Sequence, residues 1–302
     1  MRLVSYKADG AFRAGLVTGD RLVDLERAGA ALGVALGADI LDVLALEGRA
    51  TEVLRQIETG AQAGAVESSV LDESALGPAI PKPGKLLCLA GNYQSHLTEG
   101  GGQGVNKAEV TPRFFIKPST AIIGTGEAIK IPPVSETVDY EIEIAAVIGK
   151  RGRDISLADA DGYVGGYLVF NDISARHLKG IEHRKTRPMD DFFDWLVGKW
   201  CDSFAVVGPY LVTRDEIPDP TGLEMALRVN GTLKQHSSAG EMIFTVPEAI
   251  AWISGFITLE PGDLICMGTP GGVGETTQTY LRPGDVVEGE IERLGKIVNP
   301  VA

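Results

Sequence analysis

Two carboxylates two residues apart, set in an apolar run, are the sharpest chemical feature of this sequence. The stretch Thr137-Val138-Asp139-Tyr140-Glu141-Ile142-Glu143-Ile144-Ala145-Ala146-Val147-Ile148-Gly149 is rich in β-branched and apolar residues and ends at a glycine, which predicts a single strand. Side chains alternate along a strand, so Glu141 and Glu143 share one face with Cα atoms roughly 6.5–7 Å apart. Tyr140, Ile142 and Ile144 line the other face. On a solvated outer face such a pair needs nothing more. If it is buried, the two charges repel and lose hydration unless a cation or a proton sits between them.

Other residues could join them. Asp172 follows the apolar run Tyr167-Leu168-Val169-Phe170, where a strand end would hold it rigidly as a ligand or let it cap the next turn. His96 and Glu99 lie three apart and would share one face of a helical turn. A carboxylate beside an imidazole orients it and raises its basicity, which is how a general base is built. The glycine-rich Gly100-Gly101-Gly102-Gln103-Gly104 cannot stay helical and suits either a closing lid or a plain surface loop. Lys199 stands alone in an apolar context, where burial would depress its pKa and suit it to proton transfer. Lys117, after Arg113-Phe114-Phe115-Ile116, reads as a rim charge. Gly268-Thr269-Pro270-Gly271-Gly272-Val273-Gly274 lacks the lysine and helix of a phosphate loop, yet its amides could cradle a carboxylate.

These side chains must be positioned by a strand-rich chain. Leu3–Tyr6, Phe12–Val17 and Arg21–Asp24 read as short strands separated by the turn pairs Asp9-Gly10 and Gly19-Asp20. Asp39 offers an N-cap to a helix through Leu44 and Leu46, and a second helix covers Thr51–Thr59. Gly60–Ser69 behaves as a connector, and Ile80-Pro81-Lys82-Pro83-Gly84 is a firm break. Residues 1–80 are therefore expected to form a small N-terminal α+β domain with a supporting role, and residues 81–302 a larger one. In the larger part Leu86–Ala90 is a buried strand and Ser156 opens a helix. Met189–Leu196 is helix-like after the basic run His183-Arg184-Lys185-Thr186-Arg187. Asn230-Gly231 turns a hairpin, and Thr245-Val246-Pro247-Glu248 is a capping box.

Composition limits the partners. With 28 Lys+Arg against 41 Asp+Glu the net charge is −13, which argues against nucleic acid or an anionic membrane surface as partner. No apolar run approaches the length of a membrane span. Cys88, Cys201 and Cys266 have no metal-ligand or redox spacing, and each lies in apolar sequence. They are expected as buried free thiols in a reducing, cytoplasmic setting.

The order of the motifs is more specific than any one of them. Asn92-Tyr93-x-x-His96-x-x-Glu99, Asp139-Tyr140-Glu141-x-Glu143, Asn171-Asp172-x-Ser174-Ala175-Arg176, Lys199 and Gly268-Thr269-Pro270-Gly271-Gly272-Val273-Gly274 together resemble the fumarylacetoacetate hydrolase family, from about Leu86 to Asn299. The resemblance implies an α+β, β-rich fold with a mixed β-roll catalytic domain, and a homodimer. It implies Mg²⁺ or Mn²⁺ held by Glu141, Glu143 and Asp172, an all-oxygen donor set of the kind hard cations prefer. It also implies a His96–Glu99 dyad, with Lys199 handling charge and proton transfer and with Tyr93, Arg176, Lys179 and Thr269 on the substrate side. Lys179 stands where many relatives have glutamine, which points to a further acidic group on the substrate or to a different binding mode.

The expected activity is hydrolysis of a C–C bond in an acylpyruvate or related 2,4-diketo acid. Water activated by His96 and Glu99 would attack the distal carbonyl, and an enolate would leave. Two alternatives stand beside it. One is a metal-dependent decarboxylase or keto–enol isomerase of dicarboxylic keto acids, which needs no water-activating base. The other is a non-catalytic metal-dependent binding protein for a small anionic keto acid.

Overall fold

The computed structural model describes residues 1–302, the surroundings of Gly48 excepted. The chain opens with β1 (Arg2–Ala8), β2 (Ala11–Thr18) and β3 (Arg21–Asp24), a meander turned at Asp9-Gly10, where both residues have positive φ. Helices α1 (Leu25–Ala31), α2 (Ile40–Leu44) and α3 (Ala50–Gln62) then cover one face before β4 (Ser69–Val70) returns to pair β3. Asp39 caps α2 as the sequence predicts. The short α1, with its Asp24 cap, was not predicted.

Next come β5 (Leu86–Leu89), α4 (Gln94–Thr98), β6 (Phe114–Ile116), β7 (Ile122–Ile123) and β8 (Val138–Asp139). They are followed by β9 (Ile142–Ile148), α5 (Leu157–Ala160), β10 (Val164–Asp172), β11 (Ser174–Ala175) and α6 (Asp190–Val197). The chain closes with β12 (Ala205–Val207), β13 (Leu211–Thr213), the hairpin β14 (Glu224–Val229) and β15 (Thr232–Ser238), and α7 (Val246–Ser254). Last are β16 (Leu264–Cys266), α8 (Gly274–Thr277), β17 (Val286–Ile291) and β18 (Gly295–Pro300).

Twelve strands among the described residues form one mixed sheet, whose main path runs β4-β3-β2-β1-β13-β10-β9-β16-β5-β6. A second sheet, β15-β14-β17-β18, packs with α7 over one face of the first. The fold is α+β and strand-rich, as expected. Residues 1–80 join the same sheet through β1, which pairs β13, and their apolar side chains share one core cluster with Leu86, Cys88, Phe170 and Cys266. No helix among the described residues is long and apolar enough to cross a membrane.

The central pair β9 and β10 is buried throughout, so its sequence is a continuous apolar run rather than an alternation. Alternation still assigns the faces. Ile142, Ile144, Ala146 and Ile148 pack toward the second sheet, whereas Ala145 and Val147 pack toward the helical side. Glu143 has the parity of the latter pair, as Asp172 has that of Leu168 and Phe170.

The predicted single strand over 137–149 is broken. Tyr140 N–H donates to Asp139 Oδ1 (2.8 Å), and Glu141 N–H donates to Asn171 Oδ1 (2.8 Å). Side chains thus take the amides that a ladder would use, and the chain leaves strand geometry for two residues.

The joint between β13 and β10 is tight. A Cβ on Gly166 would meet Val212 O at 2.3 Å and Leu211 Cδ1 at 2.8 Å, so the strand carrying Asp172 accepts its neighbour only through glycine. Gly166→Val should lower unfolding free energy by about 1–3 kcal/mol or more, the range for overpacking. Urea titration of both proteins measures it, and an unchanged midpoint would contradict this packing.

Candidate functional site

The sheet register brings three acids from two strands together. Phe170 lies opposite Glu143 in the β9–β10 ladder, and Asp172 N–H donates to Glu141 O (2.9 Å). Oxygens of Glu141, Glu143 and Asp172 all lie within 4.8 Å of one another, and the three residues are 4%, 1% and 1% exposed. Solvated carboxylates on an outer face are therefore excluded.

Three cations hold the acids. Lys199 Nζ donates to Glu141 Oε2 and to Asp172 Oδ2, both at 2.8 Å. Lys117 Nζ binds Asp172 Oδ1 and donates to Ile173 O (3.0 Å). Arg176 donates from Nη2 to Glu141 Oε1 (2.5 Å) and from Nε to Asp139 Oδ2 (2.8 Å). Among the described residues no cation pairs with Glu143, whose Oε2 accepts Gly268 N–H at 2.8 Å.

Electrostatics follow from these partners. Burial alone would raise the Glu141 carboxyl, but Lys199 and Arg176 reverse this and hold it well below the usual range. Glu143 goes the other way: burial, Asp172 and Glu141 push its carboxyl well up. Lys199 corrects an expectation. Burial does work to lower its ammonium pKa, yet Asp172 and Glu141 outweigh burial and raise it, so it is a firm cation rather than a neutral base.

Four buried acids, counting Asp139, face three cations among the described residues, so Glu143, the acid without a cationic partner, would carry an uncompensated negative charge once ionised. A hard divalent cation among Glu141, Glu143 and Asp172 would offset that charge with the oxygen donors it favours. The residues present fit such an ion.

Beside the cluster, His96 on α4 bonds through Nδ1 to Glu99 Oε1, and Glu99 Oε2 accepts Gly272 N–H at 2.7 Å. The two side chains expected to act together are in contact. Burial opposes ionisation of Glu99, but its bonds to His96 and to Gly272 N–H lower its pKa overall.

Three of the expected substrate contacts are engaged elsewhere. Tyr93 is fully buried with its hydroxyl on Met225 Sδ (3.6 Å). Thr269 Oγ1 donates to Ile142 O (2.9 Å) and accepts from Gln235 Nε2 (2.8 Å), tying the loop to β9 and β15. Lys179 pairs with Glu136 at the surface, because its backbone follows the Val134 edge instead of turning toward the acids. Arg176 does reach the cluster, but against Asp139 and Glu141. In the basic run, Arg184 forms a two-pronged pair with Asp194 (2.8 and 2.6 Å) that pins α6. Of the thiols, Cys88 and Cys266 are buried register partners on β5 and β16, whereas Cys201 is only half-buried.

Sequence reasoning quoted Asp139 and Asn171 in motifs without giving them a role, placed Lys117 at a rim, and passed over Gln235. Phe115 and Lys117 share parity and are 8% and 1% exposed, while Ile116 between them is 50% exposed, so Lys117 points inward rather than at a rim. Removing this cation leaves Asp172 with Lys199 alone and its Oδ1 buried without a partner, and Lys117→Met should cost about 1–3 kcal/mol of stability. A thermal melt of the metal-free variant checks this. A loss under about 1 kcal/mol would contradict the pairing.

Known proteins are similar to this chain in sequence and fold. Residues 85–302 match the fumarylacetoacetate (FAA) hydrolase C-terminal family. The mitochondrial oxaloacetate tautomerase Fahd2a of Rattus norvegicus is 41% identical over 224 residues, 74% of this chain and 67% of the relative. The mitochondrial oxaloacetate tautomerase fahd2 of Xenopus laevis is 39% identical over 278 residues, covering 88% of this chain and 83% of the relative. The crystal structure of maleylpyruvate hydrolase from Sphingobium sp. SYK-6, in complex with manganese(II) and pyruvate, superposes with a TM-score of 0.77 at 28% identity, covering 100% of this chain and 99% of that one. With most of its length matched, with relatives that are enzymes, and with the buried acids in place, the chain belongs to the fumarylacetoacetate hydrolase family of enzymes.

Proposed function

We propose that this protein is a divalent-cation-dependent enzyme that interconverts the keto and enol forms of a small dicarboxylic 2-oxo acid of the oxaloacetate type. The observation that carries this reading is the His96–Glu99 pair hung from the loop that also binds a buried carboxylate, Glu143, through Gly268 N–H. The names of the two relatives above favour tautomerisation over the C–C hydrolysis expected from the motifs alone.

Glu141, Glu143 and Asp172 would hold Mg²⁺ or Mn²⁺, which when bound supplies Lewis-acid polarisation of the substrate's carbonyl oxygen. His96, oriented by Glu99, takes a proton from C3 of the 2-oxo acid. The C–H electron pair becomes the C2–C3 double bond, and the C2 oxygen takes up a proton, so none is consumed. Lys199, held as a cation, favours the negative charge that develops on the way. Arg176 offers Nη1, which has no hydrogen bond among the described residues, to a substrate carboxylate.

A second reading, hydrolysis of an acylpyruvate C–C bond, is favoured by the superposition on maleylpyruvate hydrolase. There His96 would take its proton from water. The water oxygen would bond to the distal acyl carbon, the C–C bond would break, and the pyruvate carbon would be protonated.

Adding Mn²⁺ or Mg²⁺ should raise the melting temperature of the wild-type protein and leave Glu143→Ala unmoved, since a ligand bound to the native state stabilises it by mass action. Equal shifts in both proteins would place the ion elsewhere. His96→Ala should slow oxaloacetate tautomerisation by about 10²–10⁴-fold, the usual contribution of a positioned base. The assay is the ultraviolet absorbance of the enol. An unchanged rate removes His96 from the mechanism, and pyruvate release from an acylpyruvate without tautomerase activity selects the second reading.

A further inference from the structure

The loop from Gly268 to Glu275 carries backbone amides that reach three carboxylates of three different segments. Gly268 N–H donates to Glu143 (2.8 Å) and Gly272 N–H to Glu99 (2.7 Å). At the far end, Gly274 N–H and Glu275 N–H donate to Asp139 at 2.6 and 2.9 Å. Asp139 is fully buried and also accepts from Tyr140 N–H (2.8 Å) and from Arg176 Nε (2.8 Å). Through Arg176 it is one residue from Glu141 Oε1.

Close approach is built into the contact. A Cβ on Gly274 would meet Asp139 Oδ1 at 2.6 Å and Thr279 O at 2.3 Å. At Gly272 the positive φ of 104° and a Cβ position 2.3 Å from Lys234 O likewise require glycine. Two glycines therefore let the backbone itself, instead of a movable side chain, carry the spacing between the acids.

We propose that Asp139 is a positioning residue that fixes the His96–Glu99 pair relative to the buried carboxylate cluster. It does so by anchoring one end of the Gly268–Glu275 loop while Gly268 anchors the other on Glu143. The inference deepens the proposed function and rests on it for its kinetic part. Asp172 is held by β10, Lys199 and Lys117, Glu143 by β9, and Glu141 keeps Lys199 (2.8 Å) beside the Arg176 it shares with Asp139. Loss of Asp139 consequently acts on the dyad more than on the cation ligands.

The test is a double-mutant cycle in the full chain with Mn²⁺ and oxaloacetate. Asp139→Asn should lower kcat by about 10–100-fold, the range for partners one step behind a ligand or catalytic group. KM and the Mn²⁺ concentration that gives half the thermal shift should stay within about threefold. His96→Ala added to Asp139→Asn should cost far less than in the wild type, because residues acting as a unit are not additive. A purely structural Asp139 predicts additive losses, and that outcome overturns the proposal.

A second readout needs no activity. The ring-nitrogen chemical shifts of His96 in the metal-free protein, assigned with His96→Ala, should move in Asp139→Asn, and unmoved shifts overturn the proposal. If Asp139→Asn does not fold, Gly274→Ala opens the same contact from the loop side and should move the same shifts. If the wild type tautomerises no 2-oxo acid, the functional reading falls while the ring shifts still decide the role of Asp139.

Discussion

Three carboxylates cannot share a buried corner of a protein unless their mutual repulsion and lost hydration are offset, and the arrangement around β9 and β10 answers that constraint. Lys199 bridges Glu141 and Asp172, Arg176 bridges Glu141 and Asp139, and Lys117 takes the remaining oxygen of Asp172. Each cation comes from a different stretch of chain: the end of β6, the turn after β11, and the turn after α6. The ladder β9–β10 sets the distance between the acids, and these segments must close over it before the site exists. Glu143 alone is left with a backbone amide in place of a cation, which makes it the position where an added positive charge does most.

The same constraint explains the division between strand and loop. A regular ladder would run straight through Tyr140 and Glu141, yet both amides are taken by side chains of Asp139 and Asn171. The break separates a two-stranded piece, β8 with β11, from the main sheet. Asp139 and Arg176 sit at its rim and meet the glycine loop there. Gln235 completes the frame by accepting Ile142 N–H (3.0 Å) and donating to Thr269 Oγ1 and Pro270 O.

Much of this was legible in the residues. Alternation placed Glu141 and Glu143 together and opposite Ile142 and Ile144, and the apolar run before Asp172 marked a strand end. The His96–Glu99 spacing led to a formed pair. What alternation within one segment does not contain is pairing between segments. That Lys199 meets two acids, that Arg176 turns inward to Asp139, and that Tyr93 faces Met225 are facts of register between strands far apart in sequence. Lys117 was not readable, since Phe114, Phe115 and Ile116 offer apolar side chains on both faces of the strand. Its charge made it look like a surface residue, because the acid that holds it lies 55 positions away. The N-terminal strands were readable one by one, but their union with β13 in one sheet was not, because edge-to-edge pairing leaves no local mark.

Asp172 has both oxygens on lysines of its own chain, one from each side. These ammonium groups act as internal counter-ions to the buried acids. A divalent cation placed at this corner would therefore exchange with a lysine's hold rather than simply add to the acids.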